Sequence, residues 1–238
     1  MSTAVLTKSI AEVSPRTRAR ITGALYLIAG SLFVHGKPII NGDASATAHN
    51  ILAHEASFRW AFTFDLMSAP FYIAVTALLY ELFRPVNRNL SLLAAFFSLT
   101  GCTIQASATL FHFAPLILLG GGHDAPGLAI EQSQALALMF LNLHAQAFNI
   151  CMVFFGLYCI LLGYLIFQSM FLPRIIGVLL SFAGFCYLVD CFATFLAPAF
   201  AAHLFPYILI PGVAEIALAL WLLVMGVNVR GWIPQVAA

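Results

Sequence analysis

The sequence predicts an all-α fold, a polytopic membrane protein of about six transmembrane helices with both termini cytoplasmic (N-in/C-in). Composition is the first reason. Hydrophobic types make up 62% of the 238 residues, against about half in soluble domains. Charged residues are 8%, about a third of a soluble domain's share, and the mean hydropathy is +0.98. So few charges cannot cover a water-exposed surface. The second reason is patterning, since the apolar residues fall in runs long enough to cross a hydrocarbon core of about 30 Å. The third is the placement of the basic residues. A net charge of +1 leaves no basis for nucleic-acid binding, and the composition excludes a disordered chain or a disulfide scaffold. Membrane lipid is the expected solvent and partner.

Residues 1–20 are polar and basic, with Lys8, Arg16, Arg18 and Arg20, and Pro15 argues against a long helix there. They read as a cytoplasmic tail. Six spans follow at 21–40, 60–83, 90–119, 132–167, 174–196 and 206–227, one transmembrane domain over 21–228, with 229–238 as a second cytoplasmic tail. The fourth span is overlong and must tilt or extend past the membrane. Between the first two, residues 43–58 carry Ala48, Ile51, Leu52 and Phe58 at helical spacing, with Asp43 placed to cap. This predicts a short amphipathic helix on the outer surface. The run Gly120-Gly121-Gly122 and the pair Pro126-Gly127 predict a flexible outer loop. With the N-terminus inside, Lys8, Arg16, Arg18, Arg20, Arg84, Arg88, Arg174 and Arg230 are cytoplasmic and only Lys37 and Arg59 are outside. That is a clear positive-inside bias. The five cysteines all lie in apolar runs and read as small core residues.

Polar residues inside the spans carry the functional information. In the third span Ser98, Cys102, Gln105, Thr109 and His112 form one stripe, and in the second Asp65, Ser68, Tyr72 and Thr76 do the same. The fifth span aligns Ala183, Tyr187, Asp190 and Thr194. The fourth has two stripes, Asn142, Asn149, Gly156 and Gly163 with Gln146 beside them, and His144, Cys151 and Tyr158. A helix polar or small on two faces should be surrounded by protein, which makes the fourth the expected central helix. Small and polar residues commonly mediate helix packing. Ionisable ones are expensive in a membrane and point to function.

Asp65, His112, His144 and Asp190 fall at similar depth, displaced toward the outer side, and Glu215 sits mid-span after Pro211-Gly212. Together with Gln105 and Asn149 they outline an outward-facing ligand or proton pocket with Glu215 at its floor. Glu215, with no cation on its own helix, is expected to be protonated and to donate to the fourth or fifth span, with Asn149 and Asp190 as acceptors.

A His/carboxylate set of this kind admits three chemistries. It can bind a metal, but no HxxxH or ExxH pair and no zinc-spaced CxxC is present, so no metal is expected. It can serve a small ligand or a proton pathway in a transporter or sensor. The alternative is a membrane-embedded enzyme acting on a lipid or isoprenoid, with Glu215 and Asp190 as acid and base. No nucleophile elbow, P-loop or dinucleotide fingerprint accompanies it, and no cofactor is indicated. The remaining histidines, His35, His49, His54, His123 and His203, fall at span ends or in outer loops and read as solvated.

Several segments together resemble a known family. They are TRARITGALYLIAG at 17–30, ILAHEASFRWAFTFDL at 51–66, LFRPVNRNLSLLAAFF at 82–97, the block 143–196 and GVAEIALALWLLVMGVN at 212–228. The chain resembles the bacterial integral membrane proteins grouped as domain of unknown function 4386. The resemblance implies a bacterial inner (plasma) membrane protein with several spans. It implies no activity, and no site residue comes from it.

Overall fold

The structure, a computed structural model, describes residues 14–36, 42–120, 128–204 and 209–232. Regular structure among the described residues is helical throughout: α1 (Pro15–His35), α2 (Ala44–Ala53), α3 (Glu55–Phe83), α4 (Arg88–Leu119), α5 (Ile130–Gln168), α6 (Arg174–Leu196), α7 (Pro198–Leu204) and α8 (Leu209–Val224). Helices α3, α4, α5 and α6 are long and apolar enough to cross a membrane, and α8 is a shorter apolar helix. With 39 residues, α5 runs for about 58 Å, well beyond a hydrocarbon core.

Two boundaries differ from the sequence reading. Pro15 does not discourage a helix but opens one. It stands in the first turn of α1, where its missing N–H costs nothing, and Ser14 Oγ accepts from the Thr17 N–H at 3.2 Å. Residues 15–20, expected in the tail, are therefore helical, whereas 37–40 of the expected first span lie outside the described residues. The amphipathic helix expected over 43–58 is capped by Asp43, whose Oδ1 accepts from the Ala46 N–H at 2.7 Å. It stops at Ala53, however, and α3 begins at Glu55, so Phe58 belongs to α3. The face of α2 with Thr47, Ala48 and Ile51 is buried against α5, α4 and α3. The glycine-rich residues 121–127 are outside the described residues.

Polar and apolar faces are arranged for lipid. Large side chains such as Phe96, Leu110, Phe182 and Phe185 point outward, Leu110 being 73% exposed, whereas the Ser98–His112 stripe of α4 is buried. Helix α5 packs most heavily on α4 and α6 and reaches α1 and α3 through the ring pairs Phe33–Phe148 and Tyr72–Phe155. Its His144, Cys151 and Tyr158 stripe is buried. The second stripe divides: Gly156 and Gly163 are buried, Asn149 is half-buried, and Asn142 and Gln146 are exposed. Its glycines meet glycines of α6 in antiparallel register. A Cβ at Gly156 would strike the Gly184 carbonyl at 2.9 Å, and one at Gly163 would strike the Gly177 carbonyl. The two backbones touch, as close helix pairs in membranes do.

The ends of the bundle are unlike. Arg20 donates to the Val224 carbonyl at 3.2 Å, Gly226 lies against Arg16, Asn228 N–H bonds the Phe171 carbonyl, and the tilted rings of Phe171 and Phe83 pack with centroids 5.5 Å apart. These contacts gather the start of α1, the ends of α3, α5 and α8 and the start of α6 at one basic end. At the other end lie Gly36, α2 and the end of α4.

Candidate functional site

The inward face of α3 carries Asp65, Ser68 and Thr76, and that of α4 carries Ser98, Gln105 and His112, all buried. Where the faces meet near the α2 end, four of the residues expected in the pocket come together. Asp65 is 2% exposed, His112 0% and His144 6%. Gln105 Nε2 donates to Asp65 Oδ1 at 2.6 Å. The other carboxylate oxygen, Oδ2, faces two imidazoles, with His112 Nδ1 at 3.0 Å and His144 Nε2 at 3.4 Å. The three ligand-type atoms lie within 4.8 Å of one another.

One hydrogen bond orders the protons of this centre. His144 Nδ1 lies 3.0 Å from the Ala108 carbonyl, and a carbonyl only accepts, so Nδ1 carries the hydrogen. Neutral His144 therefore turns the lone pair of Nε2 toward Asp65 Oδ2. Lone pairs facing each other at 3.4 Å repel unless a cation lies between them. A proton or a metal ion between them would remove that repulsion. Two further buried atoms of the same side chains, His112 Nε2 and Gln105 Oε1, have no hydrogen-bond partner.

The surroundings close this centre rather than open it. A Cβ on Gly36, at the end of α1, would strike the Asp65 backbone, so α1 ends at the depth of the carboxylate. The rings of Phe58 and Phe62 stand against His112 at 82° and 90°, and Ile51, Phe58, Leu116 and Leu141 pack together as a separate apolar cluster. The outward-open pocket expected from sequence is instead a buried cluster beside α2.

Glu215, expected at the floor of the same pocket, makes a second centre. Its Oε2 accepts from Tyr26 at 2.7 Å and more weakly from Tyr72 at 3.5 Å, and its Oε1 accepts from Tyr187 at 2.7 Å. Tyr26 and Tyr72 hydroxyls are 3.0 Å apart. Glu215 therefore accepts from α1, α3 and α6 instead of donating to Asn149 or Asp190. Asn149 bonds Gln146 at 3.4 Å. Among the described residues the hydrogen bond of Asp190 runs from Thr194 to its backbone carbonyl, and none joins it to Glu215. Three inter-helix choices thus differ from the sequence reading because stripes give a face of each helix but not its register against the next.

Sequence reasoning missed Tyr26 and the Ala108 carbonyl. Tyr26 sits in an apolar run with only its hydroxyl to mark it, and no side chain marks a carbonyl. The grouping of Asp65, His112 and His144 was expected, but not which of their atoms face one another, since spacing along one helix says nothing of atoms drawn from three. Of the other histidines, His35, His49 and His54 are exposed.

The comparisons with known proteins bear on lineage alone. The chain is 25% identical over 154 residues to an uncharacterized protein of Archaeoglobus fulgidus, an alignment covering 65% of this chain and 76% of that protein. No solved structure matches. The profile of the family described as domain of unknown function DUF4386 matches residues 21–226, and the chain belongs to that family.

Proposed function

We propose that this is an integral protein of the bacterial inner membrane, with α1, α3, α4, α5, α6 and α8 as six spans and both termini cytoplasmic. Its activity is small-ligand or proton-linked transport or sensing centred on Asp65, His112 and His144. The basic end of the bundle supports the orientation. The single observation that carries the functional reading is the carboxylate oxygen faced by two buried imidazoles, one of which presents a lone pair. Three ionisable groups inside a membrane bundle are too expensive to be retained as packing alone.

Accessibility tests this directly. Thr109 is buried one turn from His112 on the α4 stripe, so Thr109→Cys places a thiol beside the cluster. With the parent and its native cysteines as control, an impermeant thiol reagent should label Thr109→Cys from the α2 side of reconstituted vesicles, and faster when α2 is loosened by Ile51→Ala. Absence of labelling from either side in both backgrounds would make the cluster a structural network and end the reading.

A further inference from the structure

The second centre, around Glu215, is satisfied by tyrosine hydroxyls, and the space bordered by Thr76, Ser91 and Tyr158 is too small for more than water. The Asp65 cluster differs from both. From its geometry we propose that it is a binding site for a divalent transition metal of the zinc class, held by Asp65 Oδ2, His112 Nδ1 and His144 Nε2. This rests on reading the cluster as the ligand site and names its ligand.

Three observations converge. Ligand atoms 2.0–2.1 Å from a tetrahedral ion lie about 3.3 Å from one another, and Oδ2 is 3.0 Å from His112 Nδ1 and 3.4 Å from His144 Nε2. The Ala108 carbonyl holds the His144 hydrogen on Nδ1, leaving Nε2 as the metal-ready nitrogen, the usual outer arrangement for a ligating histidine. Gln105 occupies Oδ1 at 2.6 Å, orienting the carboxylate so that Oδ2 alone faces the imidazoles. Two nitrogens and one oxygen suit zinc, iron or cobalt and are a poor set for magnesium or calcium. Three protein ligands leave a fourth position for water or a small ligand, as in sites that act on what they bind.

The test uses the full chain in detergent, purified through a tag without histidines from cells grown with zinc. Metal content is read by plasma mass spectrometry, and the stripped protein is titrated with Co2+. Near-stoichiometric zinc and the visible bands of tetrahedral cobalt are expected. Asp65→Asn and His144→Gln should lose both, while the exposed Glu131→Gln keeps both. Gln105→Leu should keep the stoichiometry and weaken cobalt binding about 10–100-fold. Should the ligand variants fail to fold, the parent and Gln105→Leu decide alone. A folded parent with neither zinc nor cobalt bands overturns the proposal and leaves a proton between His144 and Asp65. Undiminished metal in Asp65→Asn overturns it as well. Labelling of Thr109→Cys in a metal-free protein would sink the metal and spare the ligand-site reading. Tight metal without labelling would do the reverse.

Discussion

Asp65 and Tyr72 stand two turns apart on the same face of α3, about 10 Å along the axis, and they anchor two centres made from opposite materials. Around Glu215 the donors are hydroxyls, from Tyr26, Tyr72 and Tyr187. A hydroxyl can rotate and can donate or accept, so such a centre adjusts its hydrogens to whatever faces it. Around Asp65 the partners are imidazoles, and Ala108 has fixed the hydrogen of one of them. That centre has less freedom, since an imidazole adjusts only by changing its tautomer. The hydroxyl centre ties the short helix α8 to α1, α3 and α6. The imidazole centre joins α3, α4 and α5.

The largest effect expected from this contrast is at Asp65. Asp65→Ala removes the acceptor for the Gln105 amide and the charge facing both histidines. Two buried groups, the Gln105 amide and the His112 ring nitrogen, lose their partner at about 1–3 kcal/mol each, measurable as lowered resistance to denaturation in detergent. Asp65→Asn preserves shape and should lose far less stability while losing the metal. Equal losses from the two variants would mean that the charge, not the packing, holds α3 to α4 and α5.

Glu215→Ala comes next, at about 1–3 kcal/mol, because three hydroxyls lose an acceptor and a cavity remains. Glu215→Gln should stay close to the parent, since one tyrosine hydroxyl can turn to accept from the new amide. The comparison sharpens in the double variant Asp65→Asn with Glu215→Gln. Independent centres should give additive losses to within about 0.5 kcal/mol. A larger coupling would show that the two layers on α3 act as one pathway, and would return Glu215 to the pocket that the sequence suggested.

Why the two centres were unequally legible follows from their materials. The helices themselves were plain, because long apolar runs have few alternatives, and the stripes through Asp65 and His112 were plain because ionisable residues stand out in an apolar span. Asp65, Gln105, His112 and His144 could therefore be picked out, though not arranged. The bond from Tyr26 to Glu215 spans 189 positions, and a tyrosine in an apolar run looks like core. Asn149 and Asp190 were chosen for Glu215 on polarity alone, while the true partners present a ring to the bundle and only one oxygen to the carboxylate. The facing of Asp65 Oδ2 toward His112 and His144 lay out of reach for the same reason, being set by the register of three helices. Pro15 was misread because the same residue that breaks a helix interior suits its first turn.

The smallest expected effects separate the tyrosines from one another. Tyr187 is the donor to Glu215 Oε1, at 2.7 Å, so Tyr187→Phe should cost about 1–1.5 kcal/mol, the upper part of the usual range for one hydrogen bond. Tyr72 reaches Oε2 only at 3.5 Å, where a hydrogen bond is weak. Its hydroxyl lies nearer that of Tyr26, at 3.0 Å. Since Tyr26 gives its hydrogen to the carboxylate, Tyr72 gives its own to Tyr26. Tyr72→Phe then leaves Oε2 with its strong donor and removes one neutral bond, for about 0.5 kcal/mol at the low end of the usual range. Unfolding midpoints of the two variants, measured in one detergent, decide the matter. If Tyr72→Phe lost as much as Tyr187→Phe, Tyr72 would be a principal donor to Glu215, and the centre would hang on α3 as firmly as the Asp65 centre does. The division of labour between the two layers, one holding helices together and the other holding a ligand, would then need a different cause.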